Sequence, residues 1–170
     1  MDLKKILRTV PDFPKPGINF IDITTLLQDR NAFKYAVNLM IKRYLGLEVD
    51  KIVGVESRGL ILGGAMAYKL GCGFVPARKP GKLPFRSIRE EYTLEYGTNA
   101  LEIHADAVTA GERVLVVDDL LATGGTALAV ARMVEKLGGK VVGVDFLVEL
   151  DFLHGRDKLR GYDVHSHIHF

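Results

Sequence analysis

The residues with the clearest chemistry lie in the segment VLVVDDLLATGGTA, residues 114 to 127. Its aliphatic start predicts a buried strand, and the adjacent carboxylates of Asp118 and Asp119 follow directly. In open parallel sheets, ligands bind beyond the carboxyl ends of the strands, which is where this strand would place its acids. Both carboxylates can accept hydrogen bonds from vicinal hydroxyl groups, such as those of a ribose. The segment therefore predicts a sugar-binding site.

The loop that follows the acids suits a phosphate group. Gly124 and Gly125 allow a tight turn that can aim backbone amides inward. Thr123 and Thr126 can donate their hydroxyl groups, and the helix predicted to begin here presents the positive end of its dipole. A simpler alternative is that Asp119 caps this helix and the glycines form a plain turn. The combination of acids, hydroxyls and glycines after an apolar strand favours a phosphorylated sugar.

Cationic residues are predicted to meet further phosphate charge. The segment VESRG ends one apolar strand and begins a helix, so Arg58 lies at the positive end of a helix dipole. A cation in that place indicates that an anion binds between the Arg58 side chain and the start of the helix. A guanidinium can bind phosphate oxygens bidentately. The loop ARKPGKLPFR adds four more cations: Arg78, Lys79, Lys82 and Arg86. Taken by itself, this loop is equally consistent with a solvated surface segment.

Bulk properties exclude several classes of protein. With 170 residues the chain is expected to form a single domain, and its net charge of +2 gives no argument for nucleic acid or an acidic membrane surface. The single Cys72 excludes an internal disulfide, and no apolar run approaches the ~20 residues of a membrane span. The sequence contains neither a Walker motif nor a complete dinucleotide fingerprint. We expect a cytoplasmic protein.

Strand and helix patterns alternate along the chain, which predicts an α/β fold with a mainly parallel, twisted sheet flanked by helices. Predicted strands cover residues 51–55, 73–77, 113–117, 140–150 and the C-terminal DVHSHIHF, with a short extended stretch at 18–21. Predicted helices cover residues 30–45, 59–70 and 125–138, and MDLKKILRTVPDF predicts a short amphipathic helix. The segments SIREEYTLEYG and NALEIHA alternate in polarity, which predicts an antiparallel excursion joined near Gly97 and Thr98.

The segment VLVVDDLLATGGT resembles the phosphoribosyl pyrophosphate-binding signature of the type I phosphoribosyltransferases. The resemblance extends over nearly the whole chain, through PDFPKPGINFIDIT, GVESRGLILGGAMA, VPARKPGKLP, YTLEYGTNALEIHADA and LVEL, and narrows to members that use adenine. It implies the type I fold, with residues 1–30 as an N-terminal hood. It also implies purine salvage, in which adenine and phosphoribosyl pyrophosphate give AMP and pyrophosphate. Magnesium delivered with the pyrophosphate and a homodimer are further implications.

The same resemblance implies roles for individual residues. Asp118 and Asp119 take the ribose hydroxyls, and the phosphate loop, which runs from Ala122 to Thr126, holds the 5′-phosphate. Ser57 and Arg58 meet the pyrophosphate, and the cationic loop becomes a mobile lid with Arg78, Lys79 and Lys82 as ligands. Glu95 in LEYG is implied to be the catalytic glutamate, holding the proton of the purine imidazole near N7 so that N9 attacks C1. Spacing alone leaves Glu95 as one of several acids on an alternating strand.

The segment GINFIDI is implied to receive the base. Phe20 offers a face for stacking, and backbone groups at Asn19 and Ile21 could read the amino edge of adenine. The family usually has arginine where this chain has Ile21, so a backbone contact would survive here and a side-chain contact would not. Hypoxanthine-guanine relatives carry a carboxylate at the position of Ala122, which argues against that specificity.

Two alternatives remain open. One is a phosphoribosyltransferase for another purine, such as hypoxanthine or xanthine, and the other is a non-catalytic regulator that binds phosphoribosyl pyrophosphate. A regulator of that kind predicts an added nucleic-acid-binding module, which the sequence does not show. Separately, His165, His167 and His169 alternate on one strand face, which could bind zinc or nickel but more simply forms a polar face. His104 receives no role.

Overall fold

A computed structural model describes residues 1–94 and 97–170. Its strands are β1 Arg8–Val10, β2 Phe20–Asp22, β3 Lys51–Val55, β4 Gly73–Ala77, β5 Ser87–Leu94, β6 Gly97–His104, β7 Arg113–Leu121, β8 Lys140–Glu149 and β9 Val164–His169. Its α-helices are α1 Thr24–Gln28, α2 Arg30–Ile41, α3 Arg58–Leu70 and α4 Gly125–Lys136. Short 3-10 helices cover Leu3–Lys5, Lys42–Tyr44, Asp151–Leu153 and Gly155–Leu159.

The centre of the molecule is a five-stranded sheet in the order β4-β3-β7-β8-β9, and every neighbouring pair is parallel. Its strands are apolar on both faces because both faces are covered. One core contains α2 and α3, and the other contains α4 and β6. The predicted α/β fold with a parallel sheet is therefore confirmed. None of the helices in the described parts of the chain is long and apolar enough to span a membrane.

Strand β7 is longer than predicted. The sequence placed its end at Val117, where the aliphatic run stops, but pairing with β8 continues through Asp118 opposite Phe146 and Leu121 opposite Glu149. Backbone hydrogen bonding to a neighbouring strand does not require an apolar side chain. The two acids therefore lie on the rigid end of a central strand rather than on the loop behind it.

The predicted N-terminal amphipathic helix is wrong. A single 3-10 turn covers Leu3–Lys5, and Arg8–Val10 pairs antiparallel with Phe20–Asp22. A helix this short gains little from its own hydrogen bonds, so pairing with a distant strand prevails. The stretch predicted as extended at residues 18–21 is a strand at Phe20–Asp22. The assignment of residues 1–30 to a hood stays a prediction.

The antiparallel excursion is confirmed. Strands β5 and β6 pair in register from Ser87 opposite His104 to Leu94 opposite Gly97. A backbone bridge between Arg78 and Glu102 ties β6 to the loop that follows β4. The pair also packs against α4, so the excursion lies over the helix that begins at the phosphate loop.

A buried polar network fixes the C-terminal strand. The hydroxyl of Tyr44 donates to Asp145 at 2.8 Å, and His167 contacts the other oxygen of that carboxylate at 3.0 Å. The His165 and His167 rings meet edge to face at 4.8 Å, whereas His169 pairs with Asp151 at 2.8 Å. The three histidines alternate along one face of β9, but the mostly buried His167 side chain and the more exposed His169 side chain bind different carboxylates.

We predict that Tyr44→Phe lowers the free energy of unfolding by about 1–3 kcal/mol, because one oxygen of the fully buried Asp145 loses its donor. Urea denaturation measures the change. Tyr35→Phe is the matched control, since Tyr35 is 41% exposed and should lose almost nothing. Equal stability of the Tyr44 variant and the wild type would show that the hydroxyl contributes nothing to the network.

Candidate active site

The acid pair at the end of β7 is almost completely buried, with Asp118 8% and Asp119 5% exposed. The Asp119 amide donates to an oxygen of Asp118 at 2.8 Å, and Arg58 Nε donates to Asp119 at 2.5 Å. Because Asp119 lies within β7 and binds Arg58, the alternative in which it caps α4 is wrong. The structure thus joins the predicted sugar-binding acids to the predicted pyrophosphate cation.

Burial raises the pKa of Asp118 well above its ordinary value, and the neighbouring charge of Asp119 raises it further. The start of α3 approaches this carboxylate closely, since a Cβ on Gly59 would lie 2.8 Å from its Oδ1. Gly59 is thus needed for the close approach, a role that the sequence analysis missed. The available signal was its place directly after Arg58 in VESRG.

Arg58 lies between the acid pair and the predicted base site. Its guanidinium is 5.2 Å from the centre of the Phe20 ring, and the Phe13 ring meets Phe20 edge to face at the same separation. A cavity of about 290 Å³ is lined by Val10, Phe13, Phe20, Asp22 and Arg58. Three of these residues were not predicted: Val10, Phe13 and Asp22.

The alternation of β2 decides how the predicted base-binding residues can act. Phe20 and Asp22 face the cavity, whereas the Ile21 side chain is only 4% exposed and packs in the core with α2 and α3. Asn19 is exposed just before the strand. Ile21 therefore offers a ligand its backbone groups and not its side chain.

The phosphate loop has the predicted backbone. Gly124 has a φ of +80°, and α4 begins at Gly125. Since Gly124 carries no capping side chain, the first amides of α4 are left to other partners. Ala122, Thr123 and Thr126 are partly buried around this turn.

Strand β5 covers the phosphate loop from the outside. A Cβ on Gly125 would lie 3.5 Å from the Thr93 carbonyl oxygen. Tyr92 shares a hydrogen bond with the Thr126 side chain, and burial raises the pKa of the Tyr92 phenol. Tyr92 is another contact of this loop that the sequence analysis missed.

The start of the cationic loop is bound to Glu56. Arg78 Nε donates to Glu56 at 2.9 Å, and the Lys79 amide donates to the same carboxylate oxygen at 2.8 Å. Although burial acts in the opposite direction, these hydrogen bonds hold the pKa of Glu56 below its usual value. Lys79, Lys82 and Arg86 are exposed. Glu56, which the sequence analysis did not consider, thus holds the start of this loop against the end of β3.

Ser57 and Glu95 are the two remaining predicted site residues. Ser57 is exposed and follows Glu56 through a cis peptide bond. Glu95 lies outside the described residues.

Comparison with known proteins agrees with this geometry. The family described as Phosphoribosyl transferase domain matches residues 23–168. An adenine phosphoribosyltransferase from Brachyspira hyodysenteriae is 56% identical over 170 residues, covering all of both chains. The one from Thermotoga maritima is 58% identical over 164 residues, or 96% of this chain and 95% of that one.

Solved structures agree as well. The adenine phosphoribosyltransferase from Thermoanaerobacter pseudethanolicus superposes with a TM-score of 0.97 at 54% identity, covering 99% of this chain and 98% of that one. The enzyme from Giardia lamblia, complexed with 9-deazaadenine, has a TM-score of 0.94 at 36% identity and covers 99% and 96%.

A parallel five-stranded sheet that ends in a buried acid pair, together with the family match, defines a phosphoribosyltransferase with the type I fold. Sequence identity above one half, over essentially the full length of both chains, narrows this class to one kind of phosphoribosyltransferase. The chain belongs to the adenine phosphoribosyltransferases, the purine salvage enzymes that make AMP and pyrophosphate from adenine and phosphoribosyl pyrophosphate.

The raised pKa of Asp118 gives a prediction with a definite sign. The folded protein holds this proton at pH values where the unfolded chain has lost it, so stability falls as the pH rises above the ordinary value of 3.8. Asp118→Asn removes this pH-dependent fall in stability, because asparagine does not ionise. We expect the ligand-free variant to be about 1 kcal/mol more stable near neutral pH, with the gain shrinking as the pH falls.

Thermal melts at about pH 8 and about pH 5 measure the effect, and calorimetry with ribose 5-phosphate should show at least ~10-fold weaker binding. Asp106→Asn, at an exposed carboxylate, is the control. A destabilised Asp118 variant at the higher pH would contradict the burial argument.

Proposed function

We propose that the transfer takes place where Arg58 joins the acid pair to the cavity beside Phe20. One observation carries this proposal: a single guanidinium contacts both Asp119 and the Phe20 ring. The sugar, the pyrophosphate and the base are then bound at adjoining points. A solved relative from Trypanosoma brucei, 26% identical, was crystallised with AMP, pyrophosphate and ribose-5-phosphate, which supports a site that accepts all three parts.

In this proposal the donor is held from both ends. Asp118 and Asp119 accept hydrogen bonds from the ribose hydroxyls, and those donors offset part of the cost of burying two carboxylates. The amides of the phosphate loop and the hydroxyls of Thr123 and Thr126 bind the 5′-phosphate at the start of α4. Rigid β7 connects the two subsites, which fixes the distance between them.

The leaving pyrophosphate is bound at the opposite side of the ribose. Ser57 and Arg58 contact it, and Arg78, Lys79 and Lys82 close over it from the cationic loop. Arg58 is already held in place by Asp119, so little side-chain entropy is lost when an anion arrives. Departure of pyrophosphate leaves positive charge on the ribose ring, and preorganised cations stabilise the charge that develops on the leaving oxygens.

Magnesium is proposed to arrive with the donor, where it neutralises pyrophosphate charge. Among the described residues, the one group with metal-ligand spacing is Glu149, Asp151 and His169. Arg156 already binds both oxygens of Glu149, which makes that group a poor cation site. The acid pair is engaged as well, through the bond from Arg58 to Asp119.

Adenine is proposed to stack on Phe20, with the backbone at Asn19 and Ile21 reading its amino edge. Glu95 holds the proton on the purine imidazole near N7 and thereby directs N9 toward C1. The carboxylate that hypoxanthine-guanine relatives carry in the phosphate loop is replaced here by Ala122, which supports the assignment of this role to Glu95.

We also propose a homodimer in the cytoplasm. The outer surface of α3 carries exposed apolar side chains, with Ile61 47% and Tyr68 88% exposed, and Phe74 on the edge strand β4 is 38% exposed. Apolar surface of this kind supports burial against a second copy. Light scattering of the wild type and of Tyr68→Glu would test the dimer.

We predict that adenine is turned over at least ~100-fold faster than hypoxanthine, guanine or xanthine when each is offered with donor and magnesium. The nucleotide formed, measured by chromatography, is the readout. Preference for another purine would favour the first alternative function. Donor binding without turnover of any base would favour the regulator.

We predict that Glu95→Gln lowers kcat by about 10²-fold and leaves the affinity for phosphoribosyl pyrophosphate nearly unchanged, because its carboxylate acts on the base and not on the donor. Steady-state kinetics and calorimetry separate the two quantities. Glu91→Gln is the matched control, since Glu91 is a nearby glutamate in the sequence, is exposed and pairs with Arg89. Native turnover in the Glu95 variant would remove this residue from the mechanism.

A further inference from the structure

The segment Asp151–Leu159, which we call the brace, lies directly behind the phosphate loop. It follows β8, and the Leu150 amide just before it donates to the Leu121 carbonyl at 2.9 Å. It also packs against α4, and its last residue, Leu159, is buried in the core beside that helix. The brace therefore lies next to the end of β7 and next to α4, the two elements that flank the phosphate loop.

Gly155 is the point of closest contact. A Cβ on Gly155 would lie 2.3 Å from the Ala122 carbonyl oxygen, which is about 0.7 Å inside the 3.0 Å limit of real Cβ contacts. Reciprocally, a Cβ on Gly124 would lie 2.3 Å from the Gly155 carbonyl oxygen. Each backbone thus fills the space that a side chain on the other residue would need. The brace and the phosphate loop can therefore pack this closely only because both positions are glycine.

The brace is itself anchored by Arg156. Its guanidinium donates to both oxygens of Glu149 and to Ser166 Oγ at 2.6 Å, and it also reaches the Val164 carbonyl at 2.9 Å. Glu149 is only 4% exposed, whereas the Arg156 side chain is 45% exposed, so the carboxylate is the buried partner of this charge pair. The anchor ties the brace to β8 and β9, which are fixed in the central sheet.

We propose that Gly155 is a positioning residue for the 5′-phosphate, acting through the backbone of Ala122 and Gly124. The inference rests on the proposed function. The phosphate loop consists of small residues, and the hydrogen bond of Thr126 with Tyr92 holds only its last position. Amides that bind an anion must nevertheless be held to a fraction of an ångström. Contact with Gly155 thus sets how closely the backbone of the phosphate loop lies against the brace.

Gly155→Ala tests the inference. Either the loop or the brace must move, so we expect the affinity for ribose 5-phosphate and the KM for phosphoribosyl pyrophosphate to worsen by about 10-fold or more. The KM for adenine should change little at saturating donor. This split between the two substrates is what a merely structural role would not produce.

Gly161→Ala is the matched control. Gly161 has a φ of +98° and open space around its Cβ position, so alanine there adds strain without a contact to the phosphate loop. It should keep the native affinity for ribose 5-phosphate even if its melting temperature falls. Ser166→Ala, which removes one partner of Arg156 at a distance from the loop, should weaken ribose 5-phosphate binding by a smaller factor and leave the KM for adenine unchanged.

A folded Gly155→Ala protein with native affinity for ribose 5-phosphate would overturn the inference and leave the proposed function intact. If that variant does not fold, native affinity in Ser166→Ala overturns it instead. A wild-type protein that does not bind ribose 5-phosphate would remove the proposed function and the inference together.

Discussion

Two adjacent carboxylates buried at the end of a central strand are the constraint on which the rest of this molecule depends. Among the residues that the structure describes, one guanidinium donates to Asp119 and one backbone amide donates to Asp118, which is little for two buried acids. The protein therefore keeps a site whose electrostatic free energy improves when hydroxyl donors arrive. The buried acids lower the stability of the free protein at a place where they favour ligand binding, as is common at active sites.

This constraint decides which residues can surround the acids. The start of α3 must come close enough for Arg58 to reach Asp119, so the next position has to be glycine. The same requirement recurs on the far side of the turn, where Gly124 and Gly155 meet backbone to backbone. Close approach of backbones, more than any single side chain, gives the site its shape.

The sequence predicted those parts of the structure that depend on residue patterns within short segments. Aliphatic strands alternating with helices predicted the sheet, and acids followed by hydroxyls and glycines predicted the acid pair after a buried strand and the glycine turn before α4. Pairings between distant segments were not predictable in this way. Arg58 and Asp119 are 61 residues apart, and nothing near Arg78 in the sequence indicates that its partner is Glu56. The predicted N-terminal helix was wrong for the same reason. That segment contains strand β1, which forms only by pairing with β2.

Strand β2 also explains why isoleucine suits position 21, where the family resemblance implies an arginine. Phe20 and Asp22 face the cavity, so the residue between them must face the core, where isoleucine is well suited. In the proposed function, recognition of the base edge then falls to backbone groups of β2. That backbone is held by antiparallel pairing of Thr9 with Ile21, so the proposed position of the base depends on a strand in a segment whose sequence resembles a helix.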